Sequence, residues 1–152
     1  MVIPACKYLG LRGSIMKKIT SVCVILSLIR SFNASAKWTG DNHNGYYKVR
    51  VITELHVGQV NNGSYFCIKL VNVNGSGTPV TMCSVSNQSI WSPSFEVLKE
   101  QVRYFYVTEQ SIMAYYQVNT WSYKPFLDTF SNKVLIGFST CNATDCFGPT
   151  PK

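Results

Sequence analysis

Apolar and polar positions alternate in places over residues 49–60 (VRVITELHVGQV), a stretch rich in β-branched side chains that ends at the turn residues Asn61, Asn62, Gly63 and Ser64. The pattern predicts a strand, a second strand over residues 65–73, a turn at residues 74–77 (NGSG) and a third strand over residues 78–85. The period then changes. Ser92 offers an N-cap with Pro93 at the first helical position, and Phe95, Leu98, Val102 and Phe105 recur at spacings of three and four, with Glu96, Lys99, Glu100 and Arg103 on the other side. This predicts one amphipathic helix over residues 93–106, whose polar face carries two i,i+3 charge pairs. Strand patterns resume over residues 111–118, 120–123 and 134–140, separated by Pro125 and by Ser131 and Asn132. Three strands, one helix and two or three further strands form the order of an OB-fold, a small Greek-key barrel that is mainly β with one helix.

Upstream the pattern is of another kind. From Met16 the chain carries Lys17 and Lys18, a mostly apolar run over residues 19–29 and then Ala34-Ser35-Ala36. A charged start, a short apolar run and a small-residue cleavage site make up a secretory signal peptide, and the run is too short to span a bilayer. Residues 1–15 are read as a start-site extension, residues 16–36 as the signal peptide and residues 37–152 as one mature domain, of a size that supports a real core. This division changes the meaning of the charge. The full chain is +7, but Lys7, Arg12, Lys17, Lys18 and Arg30 all leave with the leader, so nine basic residues face seven acidic ones and the mature net charge is +2. Nucleic acid is excluded as a partner, because phosphate binding needs clustered Lys and Arg on the mature surface.

Cys67, Cys83, Cys141 and Cys146 remain after the leader. An even number in an exported chain of this size predicts two disulfides. Cys141 and Cys146 form a natural local loop, which leaves Cys67 with Cys83 on neighbouring predicted strands. The rival, a four-cysteine zinc site, lacks the tight C-x2-C spacing such sites favour. Catalysis finds little support. The mature chain has only His43, in a polar turn-like run, and His56, inside a strand pattern where a hydrogen-bonded structural role is predicted. No G-x-S-x-G or H-E-x-x-H motif occurs. The chain is predicted to bind rather than to catalyse, and no cofactor is implied.

Several stretches carry a specific resemblance: Lys37-Trp38-Thr39-Gly40-Asp41, Glu54-Leu55-His56-Val57-Gly58-Gln59, Tyr65-Phe66-Cys67-Ile68-Lys69, Asn74-Gly75-Ser76-Gly77-Thr78-Pro79, Arg103-Tyr104-Phe105-Tyr106 and Cys146-Phe147-Gly148-Pro149. Together they resemble the B subunits of the subtilase cytotoxin and typhoid toxin group over essentially the whole mature chain. The resemblance implies a secreted AB5-type toxin, in which a homopentameric ring of OB-fold subunits recognises sialylated host glycans and carries a separate catalytic A subunit. It also implies that the helices line the central pore. The implied sialic-acid site falls on Tyr46, Tyr47 and Lys48, with Asn72, Thr78 and the strand from Met113 to Tyr116 nearby. Two positions depart from the family pattern: Lys48 replaces the usual serine and Met113 the usual arginine. Lys48 is therefore expected to offer a charge-assisted contact to the sugar carboxylate. The alternative is a subunit with an altered, non-sialic-acid site that acts through protein contacts. Tyr116 matches a tyrosine that contacts the glycolyl form of sialic acid.

Overall fold

The computed structural model describes residues 44–87 and 89–150. The start-site extension, the signal peptide, the stretch Lys37 to Asp41 and His43 lie outside the described residues. Among the described residues six strands and two α-helices follow in order: β1 (Gly45–Val60), β2 (Gly63–Asn72), β3 (Val80–Val85), α1 (Phe95–Thr108), β4 (Ile112–Val118), α2 (Lys124–Thr129), β5 (Lys133–Asn142) and β6 (Asp145–Cys146). Strand order is β3-β2-β1-β4-β5-β6, and a parallel pairing of β3 with β5 through Cys83 and Val134 closes the first five strands into a barrel. Closure removes the free edges that an open sheet would leave. The predicted barrel order is therefore the one observed.

β1 and β2 form a hairpin around Asn61 and Asn62, both at positive φ, as the twist of a two-residue hairpin turn requires. Cys67 and Cys83 face each other across β2 and β3 and are joined, as are Cys141 and Cys146, so the predicted pairing holds and the zinc reading falls away. The helix starts two residues later than predicted. Ser92–Ser94 forms a 3-10 turn ahead of it, and the Ser92 hydroxyl donates back to the Ser89 carbonyl (2.7 Å) instead of capping α1. Phe95, Leu98, Val102 and Phe105 are buried, as their spacing predicts. Of the two predicted charge pairs, Glu96 meets Lys99; Glu100 with Arg103 is not among the ion pairs of the described residues.

Alternation along the strands builds two cores. Phe66, Ile68, Leu70, Ile112, Ala114 and Leu135 pack with the α1 stripe on one face. Tyr65, Cys67, Cys83, Met113, Tyr115 and Val134 pack on the other, under Trp91, Trp121 and Phe126. The second core corrects one expectation: residues 120–123 are not a strand. Pro125 opens α2 near its first helical position, and buried Phe126 docks edge-to-face on both Tyr65 and Trp121, at centroid distances of 5.0 and 5.5 Å.

Candidate functional site

The start of β1 sets up the site. Gly45, Tyr46 and Tyr47 pair with Tyr116, Tyr115 and Ala114 of β4, after which the register slips and Arg50 meets Ile112. Asn44 locks this junction: its backbone N–H donates to the Tyr116 carbonyl (2.8 Å) and its side-chain oxygen accepts from the Val118 N–H (2.7 Å). Because successive strand residues point to opposite faces, Tyr46 and Tyr47 part company. Tyr46 packs toward the second core beside Tyr115, while Tyr47 packs toward the first core, its ring stacked on Tyr116 at 5.3 Å and 26°. Gly45 makes that stack possible, since a Cβ there would lie 2.7 Å from the Tyr116 hydroxyl oxygen.

Tyr47 lines an open cleft of about 610 Å³ together with Arg50, Thr78, Pro79, Ser131 and Lys133. Two cations stand over its aromatic wall: the Arg50 guanidinium lies 5.3 Å from the Tyr47 centroid and the Lys133 ammonium 5.8 Å from that of Tyr116. Burial is the main cause that raises the Tyr116 pKa above the ordinary tyrosine value, followed by neighbouring Tyr47 and their side-chain hydrogen bond, with Lys133 pulling the other way. Tyr116 is thus protonated at neutral pH and keeps an O–H to donate. Thr78 and Pro79 follow a built loop. Asn72 donates its amide to the Ser76 carbonyl (2.7 Å), Asn74 accepts from the Ser76 N–H (3.0 Å), and Gly75 and Gly77 take the positive φ that the turn requires.

Of the six residues singled out in the sequence, Tyr47 and Thr78 line this cleft, and Tyr116 is the ring on which Tyr47 is stacked. Asn72 acts one step back, by holding the loop that presents Thr78. Tyr46 and Lys48 lie on the neighbouring face, with the exposed Lys48 ammonium 5.5 Å from the Tyr46 centroid. Met113 is fully buried beside Tyr115 in the second core, so it is part of the packing and not of the cleft. His56 has the structural role predicted, with its Nε2 at 3.0 Å from the Tyr65 hydroxyl.

An aromatic platform, two cations and hydroxyl groups at a shallow opening suit a polar ligand that has an apolar face and a negative charge. Comparison with known proteins gives the setting. No family model matches the chain. Over 133 residues it is 41% identical to the B subunit of the subtilase cytotoxin of Escherichia coli, spanning 86% of this chain and 93% of that protein. The chain belongs to the family of subtilase cytotoxin B subunits. Among solved structures it is similar to a point mutant of the Salmonella typhi PltB homopentamer with Neu5Ac-alpha-2-3-Gal-beta-1-4-GlcNAc glycans, at 56% identity and a TM-score of 0.73, covering 76% of this chain and 100% of that one. It is also similar to a chain described as the A-subunit of the AB5 toxin from E. coli with Neu5Gc-2,3Gal-1,3GlcNAc, at 42% identity and a TM-score of 0.70, covering 76% and 98%. Membership in a family of toxin B subunits places the protein outside the cell that makes it, the setting in which disulfides persist.

Within this B-subunit family frame, the sequence alone missed Asn44, Gly45, Arg50 and Lys133. Asn44 and Gly45 act through backbone pairing that no motif marks. Arg50 reaches the cleft because Lys48 and Val49 form a bulge with Val49 at φ +53°, and no glycine signals such a turn. Lys133 is 17 residues from Tyr116 along the chain, and the β4–β5 pairing brings it over the ring.

Proposed function

We propose that this protein is the receptor-binding B subunit of an AB5-type toxin, a homopentameric lectin that recognises sialylated glycans on host cells and delivers a separate catalytic A subunit. It performs no chemistry itself. The observation that carries this reading is the stacked Tyr47–Tyr116 wall, in a chain whose family includes solved relatives holding Neu5Ac- and Neu5Gc-terminated glycans. The sugar's apolar face rests on the tyrosine wall, the hydroxyls of Thr78 and Tyr116 take its polar groups, and Asn72 keeps the opposite loop in place. Tyr46 and Lys48 flank the opening from the adjoining face. One such shallow site binds weakly, and five on a ring gain about 10²- to 10⁴-fold in avidity where the glycans can be spanned.

The ring reading also accounts for α1. Val97, Tyr104 and Val107 are 62%, 56% and 79% exposed at spacings of seven and three, an apolar stripe opposite the buried one that suits a pore wall and an A-subunit contact. Export through the leader at residues 16–36 completes the reading. A glycan array probed with the purified pentamer tests it: binding to sialylated glycans that disappears after sialidase treatment is the expected result. Silence across the array overturns it and favours a subunit that works through protein contacts alone.

A further inference from the structure

Regular alternation from Tyr47 would place Val49 on the cleft side and Arg50 on the opposite face. The bulge at Lys48 and Val49 inserts one residue and reverses the parity, so Arg50 returns to the face of Tyr47 and lies over its ring. Val49 takes a φ of +53° to make this possible, an unfavourable conformation for a β-branched residue. Arg50 is then pinned on both sides, paired with Asn72 of β2 and Ile112 of β4. Its Nε and Nη1 are buried and have no hydrogen-bond partner among the described residues. The cleft lining adds Lys133 and contains no aspartate or glutamate. A partly buried guanidinium with unpaired donors is costly to keep, and the described residues offer it no acceptor at this site.

We infer that Arg50 is the anion anchor of the cleft, its guanidinium turning outward to uncover its fork and take the carboxylate of an acidic sugar while Lys133 raises the local potential. The inference rests on the sialoglycan reading and changes where the charge contact is made. Lys48, the cation that stands out in the sequence, is exposed and lies over Tyr46 on the adjoining face, where its ammonium stays hydrated. Arg50 is partly desolvated and set over an aromatic wall, and a guanidinium fork matches a carboxylate better than a point charge does.

Titration of the assembled protein tests the assignment. The probes are a Neu5Ac-terminated trisaccharide, its carboxyl-reduced counterpart and a sulfated asialo counterpart. Parent protein is expected to bind the sialoside and to lose about 10- to 100-fold on carboxyl reduction, with Arg50→Gln losing a similar factor for the sialoside and nothing for the reduced sugar. Arg50→Gln is also expected to cost more than Lys48→Ala. If Arg50→Gln does not assemble, Arg50→Lys serves, since it keeps the charge and loses the fork: weakening of about 3-fold or more supports the anchor. Unchanged sialoside binding in the folded Arg50 variant, or a larger loss in Lys48→Ala, overturns the assignment and leaves the lectin function standing. Arg50-dependent preference for the sulfated probe overturns the carboxylate as ligand. Failure of the parent to bind any sialylated probe overturns both.

Discussion

Gly45→Ala separates the site from the fold. Gly45 has no positive φ, so its backbone accepts alanine, but the added Cβ meets the Tyr116 ring tip, 2.7 Å from the hydroxyl oxygen and 2.9 Å from Cζ. The obstacle is the end of a side chain and not backbone, so Tyr116 swings aside and the barrel stays closed. What is lost is the Tyr47–Tyr116 stack, about 0.5–1.5 kcal/mol in a pair of this kind. Urea unfolding should therefore show a drop of about that size. The same displacement takes away the ring that backs Tyr47 in the cleft, and an equal loss of contact energy weakens a monovalent sialoside by about 2- to 13-fold. Calorimetry with a monovalent trisaccharide measures this without avidity. Parent-like affinity in Gly45→Ala, with Tyr116 shown to have moved, would refute the assignment of Tyr116 to the platform. A stability loss above about 3 kcal/mol would refute the argument that only a side-chain tip yields.

Other consequences follow from the packing and the titrating groups. Replacing Cys67 and Cys83 together by serine should cost about 3 kcal/mol in urea unfolding, and replacing Cys141 and Cys146 about 2, because the second loop is shorter at a separation of 5 against 16. Phe126→Ala should cost about 3–5 kcal/mol, since the ring is buried between Tyr65 and Trp121 and holds α2; a change below about 1 kcal/mol in the same assay would contradict that role. Tyr115 and Tyr116 titrate above the ordinary value of 10.0, chiefly through burial, so folding favours their protonated forms. Their contribution is fully present below pH 10.0 and is lost as pH rises through the folded pKa values, which a tyrosinate absorbance titration beside denaturant melts will show as two late-titrating rings and falling stability. N-terminal sequencing of the exported protein should find Lys37 first; a start upstream of it would contradict cleavage after Ala36.

Much of the barrel was legible because its elements have strong periods. The α1 stripe of Phe95, Leu98, Val102 and Phe105 repeats over three turns, and the β1–β2 hairpin is punctuated by two asparagines. Both disulfides followed from spacing and strand order. The six residues of α2 are too few to show a helical period, and Pro125, which reads as a separator between strands, stands at a helix start. The site was legible only in part. The resemblance pointed to Tyr47, Thr78 and Tyr116, but two adjacent tyrosines on a strand face opposite ways, and only Tyr47 shares the cleft with the stack. A bulge built on Val49 leaves no compositional mark, so the parity change that carries Arg50 into the cleft is visible only in three dimensions.

A crystal structure of the assembled protein with a Neu5Ac-terminated trisaccharide tests the central claim most directly. The account predicts the terminal sugar against the stacked rings of Tyr47 and Tyr116, within reach of the Thr78 hydroxyl. A sugar bound only on the adjoining face, against Tyr46 and Lys48 with the Tyr47 cleft empty, would contradict it.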